Sequence, residues 1–261
     1  VNLVVCIKQV PSTEAKIRVN TATGFVDATE FEWVVNPYDE YAMETALRLR
    51  EKAGSGAITA IALGPERVKT ALRTCLAMGA DAAVQLTDPA FEGIDGLAVG
   101  RLLAAAVKRE PFDMVLCGKQ AVDDDQAAVP PAIAHFLGIP HVSVVAEVTA
   151  DAAARTVVAH REIEGATEVV NAPLPCLITT QKGAYEPRYP TLKGMMAAKK
   201  KAIPVLSSAE LGIDPSGLTR RLEYVEDRLP PGRKPGRVLE GTPEEVVPEL
   251  ARLLHEEAKV L

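Results

Sequence analysis

Residues 113–126 read DMVLCGKQAVDDDQ, and how they are read decides the fold. Met114, Val115, Leu116 and Cys117 form a short apolar run with the length of a strand buried on both faces. A glycine and one cation follow, and then three consecutive aspartates. If the run is a strand of a parallel sheet, the charged stretch lies beyond its carboxyl end. Open α/β sheets bind ligands there. The aspartates have four readings: a metal site, an acid–base pair, a solvated turn with helix caps, and a nucleotide loop. Each needs different company elsewhere in the chain.

Outward from this stretch the same pattern repeats. VNLVVCIKQV, at residues 1–10, holds another nearly continuous apolar run. It is short and lacks a small-residue cleavage pattern, so it is expected to be a first strand and not a secretory signal. AITAIALG (57–64) and AAVQL (82–86) are two further strands. Helices are expected between them. In NPYDEYAMETALRLREKAG (36–54), Asn36 is placed to N-cap, Pro37 suits the first helical position, Asp39 the third, and Gly54 the stop. PERVKTALRTCLAMGAD opens on Pro65 and stops at Gly79, and DGLAVGRLLAAAVKRE (95–110) follows. A fourth helix is expected from Gln126 to Gly138, entered through Pro130 and Pro131. Residues 16–35 alternate loosely around Thr23 and Gly24, as a hairpin would. Alternating strands and helices predict a parallel sheet with right-handed crossovers.

Past residue 141 the pattern changes. HVSVVAEVTA, RTVVAHREIEG and TEVVNAPLPCLITT are strand-like with no helix between them, which predicts an antiparallel extension of the sheet. A short basic helix, KGMMAAKKK, comes next. From Pro204 the chain is rich in Pro and Gly and reads as an extended arm. Thr242 and Glu245 suit a capping box for a last helix, in which Pro248 unsettles the first turns. The expected division is 1–183 for the α/β domain, 184–203 for the loop and basic helix, and 204–261 for the arm.

Composition narrows the classes. A net charge of −6 argues against a nucleic-acid binder with a basic surface. Aromatics at 4% leave few base-stacking platforms. No run of about 20 apolar residues predicts a membrane span. Cys6, Cys75, Cys117 and Cys176 are widely spaced and form no CxxC pair, so buried free thiols in a reducing compartment are expected.

For the aspartates, a metal reading lacks a second ligand cluster, and an acid–base reading lacks a partner. Capping is a structural reading, with Gly118 making the turn and carboxylates taking free N–H groups. The nucleotide reading rests on strand ends converging on one edge and on helix N-termini that attract phosphate. The chain has neither GxGxxG nor GxxxxGK[ST], so a nucleotide would use neither of those loops.

VVCIKQVP, NPYDEYAMETALRL, ALGPERVKTALRTCLAMGADAAVQL, LCGKQAVDDDQ and YEPRYPTLKGMMAAKKK together carry a family likeness. In order, spacing and wording the chain resembles the beta subunits of electron-transferring flavoproteins over nearly its whole length. That resemblance implies a Rossmann-like adenine-nucleotide-binding α/β fold with an antiparallel strand extension and a C-terminal wrapping arm. It implies an alpha-subunit partner that holds most of the FAD, and one structural AMP in this subunit. By the same resemblance Cys6, Asn36, Pro37, Tyr38, Asp39 and Leu63 would line the AMP site. So would the loop of Gly118, Lys119, Gln120, Ala121, Val122, Asp123, Asp124, Asp125, Gln126, Ala127, Ala128 and Val129. Its backbone N–H groups would receive the phosphate, with the carboxylates turned away or toward ribose hydroxyls. The family often shows Asn or Thr with Gln and Gly just after the aspartates, where this chain has Gln126, Ala127, Ala128, Val129 and Pro130. Thr13 stands where some members place an aromatic beside the flavin.

Read without the resemblance, YPTLKGMMAAKKK is a loop and a helix whose lysines complement the helix dipole, with Leu192, Met195 and Met196 in the core. Read with it, the segment is a recognition loop. Leu192 is the apolar anchor for a partner dehydrogenase, with Tyr189, Lys193, Met195, Met196, Lys199 and Lys200 around it. The implied function is an electron carrier with no catalytic residues of its own, since the chemistry belongs to the flavin. It would accept electrons from flavin dehydrogenases such as acyl-CoA dehydrogenases and pass them to a membrane quinone oxidoreductase. The expected location is the cytoplasm, or the mitochondrial matrix of a eukaryote. A bifurcating relative would carry a second FAD in place of AMP. Two rivals outside the family are a free-standing nucleotide-binding stress or signalling protein and an adenylating enzyme. The first leaves the long arm unexplained, and the second lacks a pyrophosphate loop.

Overall fold

The structure is a computed structural model that describes residues 1–183, 185–218, 221–233 and 235–261. In chain order the strands and helices are β1 (Leu3–Ile7), β2 (Gln9–Pro11), β3 (Val19–Asn20), β4 (Phe25–Val26), β5 (Trp33–Val35), α1 (Pro37–Ala53), β6 (Ile58–Leu63), α2 (Val68–Met78), β7 (Ala82–Leu86), α3 (Gly96–Val107), β8 (Met114–Gly118), α4 (Val129–Leu137), β9 (His141–Asp151), β10 (Thr156–Ile163), β11 (Ala166–Pro173), β12 (Cys176–Thr180), α5 (Leu192–Lys200), β13 (Val205–Leu206) and α6 (Pro243–Glu256). Among the described residues, nine strands form one sheet in the order β11-β10-β9-β12-β8-β1-β6-β7-β13. From β9 to β13 every neighbour pair is parallel. The hairpin pairs β9–β10 and β10–β11 are antiparallel.

The continuous apolar runs follow from two covered faces. Side chains of a strand alternate between faces. Leu3, Val5 and Ile7 of β1 join Met43, Leu47 and Leu72 of α1 and α2 in one core. Val4 and Cys6 join Leu102, Leu103 and Ile133 of α3 and α4 in the other. Met114 and Leu116 of β8 divide from Val115 and Cys117 in the same way.

Several expectations shift. TEVVNAPLPCLITT is not one strand of the antiparallel extension. Leu174 and Pro175 break it, and β12 enters the parallel sheet between β8 and β9. All five β12 residues are buried, as an interior position requires. The hairpin around Gly24 is reduced to β3 and β4, while β5 pairs with β2 instead. The helix expected from Gln126 begins at Val129, and the one expected from Pro65 begins at Val68.

The chain forms two compact units. The first is Val1–Lys16 with Asp27–Val225, and so contains β13 and the opening of the arm. The second is Ile17–Val26 with Glu226–Leu261. In the second unit the Asp227 carboxylate accepts the Val26 N–H at 2.9 Å, and the Asp227 N–H donates to the Gly24 carbonyl at 2.8 Å. Its helix α6 starts with the reciprocal Thr242–Glu245 capping box, carries Pro248 inside, and buries none of its side chains.

Candidate functional site

β1 leads to β6 on one side, and β8 lies on its other side. The crevice at the carboxyl ends of β1 and β8 is therefore a topological switch point, where such sheets bind ligands. A cavity of about 280 Å3 lies there. Cys6, Ile7, Lys8, Leu63, Cys117 and Gly118 supply the strand ends. Residues 93–96, with Val99 and Leu103, enter from the start of α3, and residues 126–130, with Ile133, from the start of α4. Leu222 and Tyr224 complete the wall.

The loop after β8 is held by the start of α1. Asn36 stands before α1, but its side chain caps nothing there. It reaches across instead: its amide donates to the Gln120 carbonyl at 2.9 Å and accepts the Val122 N–H at 3.2 Å. Asp39 is buried and accepts the Lys8 N–H at 2.7 Å and the Gly118 N–H at 2.8 Å. Burial drives the Asp39 carboxyl up to about 7, against the pull of those N–H donors, Asn36 and Lys8. Gly118 is needed for close approach, not for a turn. A Cβ there would sit 2.4 Å from Asp39 Oδ1 and 2.6 Å from Tyr38 Cβ.

The three aspartates are met by protein partners. Lys8 Nζ donates to Asp123 at 2.8 Å and to Asp124 at 3.0 Å. Burial works to lower the Lys8 pKa, but the two carboxylates outweigh it and raise it. Gln120 donates to Asp125 at 2.6 Å, and Asp124 also accepts the Gln126 N–H at 3.3 Å.

That backbone is arranged for an anion. Asp125 and Ala127 both have φ of 51°, in the left-handed region, and Ala128 returns to the right-handed helical region. A left-handed residue followed by a right-handed one turns successive N–H groups toward one point. Here these are the N–H groups of Ala127, Ala128 and Val129, and among the described residues none has a protein acceptor. Pro130 and Pro131 then occupy the first turn of α4, where they contribute no N–H. The free donors are those of Ala127 in the loop, Ala128 just before α4 and Val129 at its first position. Below the loop, the Cys6 and Cys117 thiols are buried, and the proximity of Cys6 together with burial raises the Cys117 pKa well above its ordinary value.

A second surface lies at residues 185–201. Thr191 caps α5 by accepting the Gly194 N–H at 3.0 Å. Ala198 is buried, whereas Leu192 is 72% exposed and Tyr189 92%. Met195 and Met196 are exposed as well.

The family model described as "Electron transfer flavoprotein domain" matches residues 23–211. An electron transfer flavoprotein subunit beta of Bacillus subtilis is 38% identical over 261 residues, all of both chains. The chain belongs to the electron transfer flavoprotein family, as a beta subunit. The beta subunit of Bos taurus is 36% identical over 251 residues, 95% of this chain and 96% of that one. A protein named caffeyl-CoA reductase-Etf complex subunit CarD, from Acetobacterium woodii, is 34% identical over 244 residues, 92% of each chain. Membership in this flavoprotein family implies a flavin and an alpha-subunit partner. Among the described residues no helix is long and apolar enough to cross a membrane.

Against this electron transfer flavoprotein fold, the residues singled out in the sequence divide into groups. Cys6, Asn36, Asp39, Leu63, Gly118, Gln120, Ala121, Asp124 and residues 126–129 line the cavity. Pro37, Tyr38, Lys119, Val122, Asp123 and Asp125 are not among its lining residues. Lys119 points instead over the Tyr38 ring, with Nζ 4.9 Å from its centre. Lys8, Cys117 and the start of α3 line the cavity but were not among the site residues expected from the sequence. Lys8 had one signal, a lone cation closing an apolar strand. Leu192, Met195 and Met196 lie outside the core, contrary to the reading made without the resemblance.

Proposed function

We propose that this beta subunit is a structural and docking partner in an electron carrier. An alpha subunit would hold most of the FAD, and this chain would hold one AMP. The observation that carries the AMP reading is the set of free N–H groups at Ala127, Ala128 and Val129, opening on a cavity at the switch point. Those donors suit a phosphate, and the apolar wall of Cys6, Leu63, Cys117 and Ile133 suits a base. Residues 1–183 would form the nucleotide domain and residues 204–261 would pack on the alpha subunit. Residues 184–203 would dock dehydrogenases through Tyr189, Leu192, Lys193, Met195, Met196, Lys199 and Lys200; residue 184 itself lies outside the described residues. Acyl-CoA dehydrogenases of fatty acid oxidation would donate electrons, and a membrane quinone oxidoreductase would accept them. No acid, base or nucleophile of this chain takes part, and the location is the cytoplasm or mitochondrial matrix.

A second reading is a bifurcating complex with a second FAD in this cavity in place of AMP. The test is to denature the purified heterodimer and identify what it releases. FAD and AMP in equal amounts support the proposal. FAD alone at two per heterodimer favours bifurcation, and FAD alone at one per heterodimer removes the AMP assignment.

A further inference from the structure

The exposed apolar side chains of residues 189–196 stand between two fixed points. On the amino side, Arg188 is gripped by Glu44 of α1, a carboxylate with no exposure to solvent. Arg188 Nε donates to Glu44 Oε2 at 2.7 Å, and Nη2 donates to Oε1 at 2.9 Å. The Arg188 backbone N–H also reaches Oε2, at 3.2 Å, and its third guanidinium nitrogen, Nη1, donates to Glu51 at 2.7 Å. Arg48 closes the cluster with a 2.6 Å bond to Glu44, and its guanidinium lies 5.2 Å from the centre of the Tyr185 ring. On the carboxyl side, Arg73 of α2 donates to the Ala198 carbonyl at 2.7 Å. Lys201 donates to the carbonyls of Ala80 and Asp81 at 2.9 and 2.8 Å. Gly194 lets α5 lie close on α2, since a Cβ there would be 2.4 Å from the Ala77 carbonyl oxygen.

We infer that Glu44 and Arg188 are positioning residues that hold the segment 189–196 as a rigid handle for docking a flavin dehydrogenase. The inference rests on the docking reading of Leu192 given above. A free loop would have to be ordered at every encounter, and ordering backbone and side chains subtracts from affinity. Bidentate pairing of the half-buried Arg188 with the buried Glu44 carboxylate meets that cost in advance, during folding. The device suits a carrier that docks and releases quickly, because Leu192 and Met196 are presented without rearrangement.

The test uses the assembled heterodimer with its flavin, carrying Arg188→Lys or Glu44→Gln. Lysine keeps the charge but cannot form the fork, and glutamine keeps the shape but removes the buried anion. Two readouts are taken: amide hydrogen exchange over residues 189–198, and flavin reduction at varied acyl-CoA dehydrogenase concentration. The expected result is faster exchange in the segment and an apparent KM for the dehydrogenase raised about tenfold, the scale of losing ordered contacts. The kcat at saturation stays near wild type. Unchanged exchange overturns the inference, and so does faster exchange with an unchanged KM. If Glu44→Gln fails to assemble, Arg188→Lys decides alone. Leu192→Ala is run beside them. If it leaves KM unchanged, the docking reading itself falls. If it raises KM while Arg188→Lys does not, only the positioning role falls.

Discussion

The loop at residues 118–128 and the segment at residues 187–200 read alike on paper. Both follow an apolar or prolyl stretch, both carry lysine, and both adjoin a helix. In the fold they are opposites. In the first, Lys8 meets Asp123 and Asp124, Asn36 and Asp39 hold backbone groups, and among the described residues the N–H groups of Ala127, Ala128 and Val129 have no protein acceptor. In the second, the polar groups are spent on anchoring the ends, and the apolar side chains are left to solvent. On the proposed reading, a site for a resident small anion and a site for a passing protein differ in which groups are left without a partner. Exposed anchors such as Leu192 carry binding energy only when something covers them.

The sharpest way to break the first half of this contrast is Gly118→Val. The new side chain would collide with Asp39 and with the backbone carbon of Tyr38, 2.7 Å away. A clash with backbone cannot be relieved by a rotamer change, so a loss on the order of 3 kcal/mol is expected. The heterodimer should melt several degrees lower and release less nucleotide. A variant with wild-type melting and full nucleotide content would show that the α1–β8 junction does not form the site.

A smaller effect should come from Asp39→Asn, and it should depend on pH. The folded protein holds the Asp39 proton with a pKa of about 7 against an ordinary 3.8. The stability this contributes is fully present below about 3.8 and is lost as pH rises through about 7. Asparagine carries no such proton. Its melting temperature should therefore decline less than that of wild type between about pH 4 and pH 7, the range of the shift. It should also begin lower, because the amide nitrogen leaves a buried N–H donor of Lys8 or Gly118 unpaired, at about 1–3 kcal/mol. Parallel curves for the two proteins would mean that Asp39 does not titrate in this window.

The docking half is tested by Leu192→Ala, which should leave melting untouched. Removing one leucine from a covered interface forfeits about 1.5–3 kcal/mol, so affinity for the dehydrogenase should fall roughly tenfold or more. A lower melting temperature with unchanged affinity would return Leu192 to a structural role. The smallest effect is expected from Lys199→Ala with Lys200→Ala. These exposed charges act at the rim, so they should lower the association rate at low salt and little else. A loss that persists at high salt would count against that role.

Much of the fold was legible because its signals are local. Apolar runs, Pro37 and Gly54 around α1, Gly79 after α2, and the Thr242–Glu245 box need only a few neighbours to act. The helix at residues 129–137 was misplaced by three residues at its start, since the left-handed turn at Ala127 has no local sequence signal. Alanine rarely takes that conformation, and only the surrounding contacts impose it. The cavity side chains were named largely through the family likeness. Periodicity alone pointed no further than the carboxyl edge of the sheet.

The sequence by itself determined the alternation of strands and helices, the two covered faces and the family. These follow from side-chain period and helix punctuation, which act within a few residues. Only the tertiary structure decided that Lys8 meets Asp123 across 115 residues and that Arg188 meets Glu44 across 144. It also placed CLITT in the middle of the sheet and turned the Asn36 side chain from helix cap to loop tie. A polar side chain has several partners that would satisfy it almost equally well. Which one it takes is set by what the packed sheet brings within hydrogen-bond reach, and that choice has no local pattern to betray it.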